Sequence, residues 1–361
     1  MKSIVIHLLT WNGAKYLPYL FDSLKKQTCT DWELYILDNA SEDGTVAAIH
    51  ALSEEYRLPV TLSVNSENVG FAKGHNQLLA MSASPFVLVL NHDVSLEPDC
   101  LEKMVVCMNE QSDIAAVSPR LMRWNFSFMQ KDGERMAGDY GQIFTDVVDA
   151  AGFKVYRNRR VVEQYAGMPW GAVLDSSTSR CLPVFGIPAT CALYRRSALA
   201  SIAFQNGEIF DSLYHSYKED VDLAYRLWSA GFCARVATNA IAYHDRSSGA
   251  LSNASDMASA KNKRLQLEYI RYHSYKNHLM TLYKNEYWQN AILDFPWILW
   301  YEGKKFLYCL LYDRHSLAGV GEIWKNRKIL WERKNDMRKK RKASWKEIRK
   351  WWTGIEKLKG N

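Results

Sequence analysis

The chain has 361 residues, 48% hydrophobic and 24% charged, which is the composition of a folded protein with a sizeable core and excludes disordered, collagen-like and coiled-coil classes. Its formal net charge of +7 is unevenly spread: residues 321–361 hold 15 Lys and Arg against 5 Asp and Glu, and the rest has a slight acidic excess. A slightly acidic body with a strongly basic tail excludes a surface that coats nucleic acid uniformly, and leaves open what the tail meets.

The first 120 residues alternate strand and helix patterns. Ser3–Leu9 is a short aliphatic and β-branched strand, and Tyr16–Gln27 spaces Leu17, Leu20, Phe21 and Leu24 as one helical face. Trp32–Leu37 is a second strand ending at Asp38, followed by a helix over Thr45–Tyr56 and a strand over Val60–Val64. Gly74–Ala83 reads as helix, Phe86–Leu90 as a fully apolar strand, Leu101–Asn109 as helix and Ile114–Val117 as strand. Alternating elements with continuous apolar strands predict an α/β fold with a parallel sheet covered on both faces, and ligands on such sheets gather at the carboxyl ends of the strands. From Arg123 to about Arg180 the pattern weakens into long loops or an insertion. It returns at Val184–Tyr194, in a helix over Tyr217–Gly231, and in short strands at Ala234–Ala237 and Ala240–Tyr243 leading to His244. Beyond Ser255 the chain reads as mostly helical.

Several polar clusters fall where a ligand would sit. Asn91-His92-Asp93 leaves a buried strand, a place for a carboxylate to hold a hard divalent cation or simply to make a turn. Asp38-Asn39-Ala40-Ser41 also follows a strand; Ser41 or Asp43 serves as a helix cap, and Asp38 is the residue that capping explains least. Asn68-Val69-Gly70-Phe71 opens a loop whose glycines allow close backbone approach, though it is neither a Walker loop nor GxGxxG. Glu219, Asp220 and Asp222 crowd one helical turn; one or two acids suit a helix N-terminus, and a third invites a proton-accepting role. His244, before Asp245, can complete a metal site with Asp93 or be an ordinary structural histidine.

Taken together and in order over residues 4–249, these segments, with Phe185-Gly186-Ile187-Pro188-Ala189-Thr190 and Phe210-Asp211, resemble the inverting family 2 glycosyltransferases of GT-A fold. The nearest flavour is the rhamnosyltransferase-like branch of bacterial polysaccharide synthesis. The resemblance implies a Rossmann-like mixed sheet flanked by helices over residues 1–255, with an irregular insertion at 123–180 and a helical, basic, Trp-rich extension over 256–361. It implies a nucleotide-sugar donor held by Thr10, Asn12, Asp38, Asn39, Asn68, Gly70, Phe71, Asn91, His92 and Asp93, and Mg²⁺ or Mn²⁺ held by Asp93 and His244. It makes Asp220 the general base, with Glu219 and Asp211 on the acceptor side. The acceptor is a glycan or lipid-linked glycan, and the first donor implied is dTDP-L-rhamnose, with UDP-linked hexoses or galactofuranose as alternatives. The sequence departs from the family at Asn206-Gly207-Glu208-Ile209, where a Gly-Gly pair is common before Phe-Asp.

The seven Cys are odd in number and form no CxxC pair, so reduced cytoplasmic thiols are expected, with no zinc cluster. The N-terminal run reads as a buried strand rather than a signal peptide, and charges interrupt every long apolar run in the last third, so no spanning helix is expected. Residues 287–361 hold 8 of the 13 Trp. Trp and Tyr beside Lys and Arg favour an anionic membrane surface, on the inner face of the cell membrane; the alternative is a helical subdomain packed on the body. A nucleic-acid-binding protein would use the tail but leaves Asp38, Asp93 and Asp220 unexplained, so no nucleic acid partner is expected. A nucleotidyltransferase would need a basic triphosphate loop, and residues 10–20 contain only Lys15. A non-catalytic sugar-nucleotide binder would not need both Asp93 and Asp220.

Overall fold

A computed structural model describes residues 2–128, 143–173, 179–245 and 267–353. Twelve strands are described: β1 (Ile4–Thr10), β2 (Trp32–Asp38), β3 (Val60–Val64), β4 (Phe86–Asn91), β5 (Val94–Leu96), β6 (Ile114–Trp124), β7 (Phe144–Ala150), β8 (Phe153–Val155), β9 (Val161–Glu163), β10 (Cys181–Val184), β11 (Cys191–Arg195) and β12 (Cys233–His244). Ten form one sheet in the order β10-β12-β6-β11-β4-β1-β2-β3, with β5 on β12 and β7 on β6, while β8 and β9 make a separate hairpin.

The strands β1 and β4 show why the sheet centre holds. Ile4, Ile6, Leu8, Leu88 and Leu90 enter one apolar cluster, and Val5, Val87 and Val89 the other, so alternate residues feed opposite faces. The helix Leu17–Lys25 covers the first face through Leu17, Leu20, Phe21 and Leu24, with Pro18 in its first turn where no backbone donor is missed.

Strand direction is the main departure from the parallel sheet expected from the pattern. β1 to β4 are mutually parallel, but β11 runs antiparallel between β4 and β6, and β10 antiparallel on β12. The mixed sheet implied by the family resemblance is the one present. β12 is one bulged strand of 12 residues where two short strands were expected. The helix expected from Gly74 begins at Gly70. Within 123–180 the described residues include β7, β8, β9 and the end of β6, so this stretch extends the sheet rather than only looping out.

Cys107 and Cys181 are joined as a disulfide across 74 residues of sequence, because the helix Cys100–Asn109 packs beside β12 and its partner β10. That corrects the expectation that all seven cysteines are free thiols. The expected boundary near residue 255, and Arg246 to Gly249, lie outside the described residues.

After it come helices at Glu268–Asn285, Trp288–Leu293, Phe295–Tyr312, Arg314–Lys325, Arg327–Lys340 and Trp345–Arg349. The tail divides in two. Ile348, Trp351 and Trp352 pack with Phe185, Val221 and Tyr225 on the body and with Tyr287, and the Lys342 and Ala343 amides donate to the Ser229 carbonyl. Trp288, Trp300, Trp324 and Trp331 remain more than half exposed on the intervening helices. No helix of the described residues is long and apolar enough to cross a membrane.

Candidate active site

The strand register gathers the first three polar clusters. Thr10 stands opposite Asp38 and Leu9 opposite Asn91, so the ends of β1, β2 and β4 share one edge of the sheet. Asp38 is fully buried: the Thr10 hydroxyl donates to its Oδ2 at 2.8 Å, and the Ser41 amide and hydroxyl donate to Oδ1 at 2.8 Å and Oδ2 at 2.6 Å. The carboxylate therefore shapes the turn from within. The Asn12 amide donates to Ser41 Oγ at 2.9 Å, and Asn12 Oδ1 accepts from the Glu42 amide at 2.9 Å. Asn39 links two loops, donating to the Gly70 carbonyl at 3.4 Å and accepting from Asn65 at 2.9 Å.

Asn68 Oδ1 accepts from the Gly70 amide at 2.9 Å and so starts the helix Gly70–Met81. Gly70 has φ +83°, and a Cβ there would lie 2.6 Å from the His215 ring and 2.7 Å from its carbonyl oxygen. Only glycine satisfies both the left-handed backbone and the close approach. Phe71 turns toward His75 and Phe210, with ring centroids 4.2 and 5.8 Å away.

The tight turn from β4 into β5 puts Asp93 beside the end of β12, where Val94 pairs with His244. Asp93 Oδ2 lies 3.4 Å from His244 Nε2, and His244 Nδ1 lies 2.8 Å from Asp149 Oδ2. Asp149, on β7, is the site residue that sequence reasoning missed; it fell in the stretch read as irregular. Burial opposes a charge on His244, but Asp93 and Asp149 outweigh it and hold its pKa up to about 10. Burial also opposes the charge on Asp93, and the His244 charge more than offsets it, so Asp93 titrates below the usual range. Asp93 Oδ1 is buried with no hydrogen-bond partner among the described residues. His92 leans on the neighbouring loop, where a Cβ on Gly13 would lie 2.7 Å from its ring.

Among the described residues no group of three or more His, Cys, Asp and Glu is arranged to hold a metal ion alone. Asp93 with its idle oxygen and His244, whose ring is oriented through Nδ1 by Asp149, form a two-residue donor set for a hard cation once that cation displaces the proton on His244 Nε2. Further ligand oxygens would come from substrate or water.

The three acids of the helix Glu219–Ser229 have different fates. Asp222 is fully buried between Arg226 and Lys284, with Oδ2 2.9 Å from Arg226 Nε and Oδ1 2.9 Å from Lys284 Nζ. It is a packing element, which corrects the idea that the third acid signals chemistry. Glu219 is buried with Oε2 unpartnered among the described residues, and burial, reinforced by Asp220, pushes its pKa well above the usual carboxylate range. It presents little surface to an acceptor. Asp220 is half-buried; its Oδ1 accepts from the Val221 amide at 2.7 Å, and Oδ2 faces the Ala189 amide at 3.5 Å. Burial raises it to about 6, with Lys218 acting in the opposite direction and Glu163 adding to the rise. That is the condition of a carboxylate prepared to accept a proton.

Asp211 is corrected outright. It is fully buried, ion-paired with both Lys284 and Arg333, and it caps the short turn Ser212–Tyr214. With no exposed surface it has nothing to offer an acceptor, and it ties the body to the C-terminal helices instead.

The two halves of the site meet at one dipeptide. The Ala189 amide faces Asp220, and the Thr190 carbonyl accepts from the Asn91 amide at 2.9 Å. The candidate base and the Asn91-His92-Asp93 turn are thus anchored to adjacent residues ahead of β11.

The family model described as Glycosyl transferase family 2 matches residues 5–202. An uncharacterized glycosyltransferase of Haemophilus influenzae is 28% identical over 114 residues, 32% of this chain and 36% of that protein. Abequosyltransferase RfbV of Salmonella typhimurium is 29% identical over 107 residues, 29% of this chain and 32% of that protein. These matches span about a third of the relatives' lengths. Among solved structures, GalNAc-T7 with UDP, GalNAc and Mn²⁺ superposes at TM-score 0.57 and 11% identity, covering 79% of this chain and 48% of that one. Mannosyltransferase PcManGT of Pyrobaculum calidifontis with GDP-Man and Mn²⁺ gives 0.50 and 14%, covering 98% and 88%. At such identities the likeness speaks for the fold.

Proposed function

The chain belongs to glycosyl transferase family 2, and from that membership we propose that it is an inverting glycosyltransferase. It moves a sugar from a nucleoside diphosphate to a hydroxyl of a glycan or lipid-linked glycan. The observation that carries this reading is the anchoring of Asp220 and of the Asn91-His92-Asp93 turn to neighbouring residues Ala189 and Thr190. It sets a proton acceptor and a cation-binding turn on one short segment.

The loops of Asn12, Asp38-Asn39 and Asn68-Gly70 form the nucleotide side. They are stitched together by Ser41 and Asn39, so they are organised before a ligand arrives. Asp93 and His244 would hold Mg²⁺ or Mn²⁺, which supplies positive charge for the departing diphosphate. Asp220 accepts the proton of the acceptor hydroxyl as that oxygen bonds to the anomeric carbon and the bond to the diphosphate breaks. One displacement through an oxocarbenium-like transition state inverts the carbon, in the manner of inverting glycosidases. Asp149 keeps the His244 ring in place.

We name dTDP-L-rhamnose as the first donor, on resemblance, with UDP-hexoses and UDP-galactofuranose as alternatives. Thermal unfolding with a panel of these donors and Mn²⁺ or Mg²⁺ is the test. One nucleotide sugar should raise the melting temperature selectively and only with the cation; no shift with any donor contradicts the reading.

The exposed face of the C-terminal helices supports docking on an anionic membrane surface, on the cytoplasmic side. Trp300 and Trp324 are 70% and 69% exposed, and Lys304, Arg314, Lys325, Arg327 and Lys328 are exposed beside them. Aromatic rings at headgroup depth with Lys and Arg toward lipid phosphates is the interfacial arrangement. Replacing Trp288, Trp300 and Trp324 together by Ser should lower co-sedimentation with vesicles of equal phosphatidylglycerol and phosphatidylcholine about tenfold, without changing the melting temperature. Undiminished binding would sink the docking face.

A further inference from the structure

Between Asp211 and Glu219 the backbone takes a path that its own residues do not favour. After the turn Ser212–Tyr214, His215, Tyr217 and Lys218 have φ of 60°, 70° and 69°. None is Gly, Asn or Asp, the residues that adopt this region readily, and each left-handed L-residue costs about 1–2 kcal/mol. Lys218 is also the N-cap of the helix that carries Asp220, and its side chain makes no capping hydrogen bond. The turn leading to the candidate base is therefore held from outside.

Asn277 holds it. This residue of the helix Glu268–Asn285 is fully buried, and its Nδ2 lies 2.9, 2.9 and 2.7 Å from the carbonyls of Tyr214, Ser216 and Tyr217. Its two hydrogens thus serve three acceptors with one hydrogen shared, while the Tyr214 carbonyl also accepts from the Ser216 amide at 2.7 Å. Three carbonyl partners identify that end of the amide as the nitrogen. The intervening carbonyl, of His215, accepts from the Ala72 amide at 3.1 Å, in the helix that starts at Gly70. The next, of Lys218, accepts from the Asp222 amide at 3.0 Å and begins the helix of Asp220. Every carbonyl from residue 214 to 218 is thus accounted for, three of them by one side chain. His215 also fills the space that a Cβ on Gly70 would need. The turn accordingly touches the nucleotide-side loop at one end and the base at the other.

We propose that Asn277 is a positioning residue for the transfer reaction, which fixes the left-handed turn His215–Lys218 and through it the placement of Asp220 against the Gly70 loop. The inference rests on Asp220 being the base. Asn277 lies outside the residues 5–202 that match the family model, in the part that reads from sequence only as a helical extension. On this account one residue of the C-terminal helices positions the candidate base.

A misplacement of about 1 Å at a reacting group can cost about 100-fold in rate. Releasing the turn should therefore lower kcat about 100-fold while the donor KM stays within about threefold. Thr281 supplies the control. It sits one turn along the same helix and pairs with the Tyr214 hydroxyl at 2.7 Å, without contact to the carbonyls of residues 215–218. Thr281→Val removes a buried hydrogen bond and should lower the melting temperature with kcat within about twofold.

The test compares full-length wild type, Asn277→Ala, Asn277→Asp, Thr281→Val and Asp220→Asn. Turnover is read as nucleoside diphosphate released from dTDP-L-rhamnose, UDP-glucose and UDP-galactofuranose, and amide hydrogen exchange is followed over residues 211–222. Asn277→Ala and Asn277→Asp should each lose kcat with little change in KM, and speed exchange at 215–221 at least tenfold while Thr281→Val does not. If Asp220→Asn keeps its turnover, the base reading itself fails, and unchanged exchange in the Asn277 variants would then also overturn their hold on the turn. If Asp220→Asn is inactive while folded Asn277→Ala turns over at the wild-type rate, the base stands and the positioning role is overturned.

Discussion

Asp220→Asn should lower kcat about 1,000-fold while leaving donor affinity within about twofold. The change keeps shape and an oxygen for the Val221 amide, so the helix start should survive. What it removes is the ability to take a proton, and a positioned base contributes about 100- to 10,000-fold. The pH profile checks the same claim. Burial raises Asp220 to about 6, so it works as the ionised form above that value. The rate should rise with pH through about 6 and level off above 7, because below that range acid protonates the base. Glu219 is buried against it and interacts with it, so the limb belongs to the pair rather than to one residue. Initial rates in Asp220→Asn at pH 5 to 8 should show no such limb; a wild-type limb in that variant would remove Asp220 from the base role.

Asp93→Ala should have the second largest effect, about 100- to 1,000-fold in kcat/KM, and should abolish the response to added Mn²⁺ or Mg²⁺. Asp93 brings a carboxylate oxygen that is buried without a hydrogen-bond partner among the described residues, and its other oxygen lies 3.4 Å from His244. Its loss removes an anionic ligand and leaves His244 with Asp149 alone. Asp149→Asn should be milder, about 10- to 100-fold in cation affinity, because it orients a ligand rather than serving as one. Calorimetric titration of nucleoside diphosphate with and without Mn²⁺ separates these cases. Wild type should bind more weakly after chelation, and Asp93→Ala should bind equally weakly in both conditions. Retained cation dependence in Asp93→Ala would place the metal elsewhere.

The nucleotide side of the site was legible because parallel strands deliver their ends to one edge. Thr10, Asp38 and Asn91 each close an apolar run, and pairing sets them side by side. Strand direction was not legible: a continuous apolar run such as that of β11 is buried alike in either direction. Acids at a helix start also look alike in sequence. Asp222 has a local partner in Arg226, four residues on, but its second partner, Lys284, lies 62 residues beyond it and nothing in the local pattern foretells that pair. Asp211 and Asp149 were misjudged and missed for the same reason, as their roles rest on Lys284, Arg333 and His244.

The tail's charge pointed to a separate purpose, and the structure divides it. Asp211 and Asp222 reach Lys284, and Asp211 also Arg333, through buried ion pairs whose breakage costs about 3–5 kcal/mol. Trp345, Trp351 and Trp352 close over the body, while the Trp-bearing helices between stay open. Composition alone does not distinguish a Trp that packs from one that faces outward.

The central claim, a single displacement assisted by Asp220, is tested most directly by the anomeric configuration of the first-formed product. Proton NMR of the transfer product, made from the donor that stabilises the protein and recorded early in the reaction, reads that configuration. The product should carry the configuration opposite to the donor's. A product that retains it would require a second displacement or a different nucleophile, and would contradict the assignment.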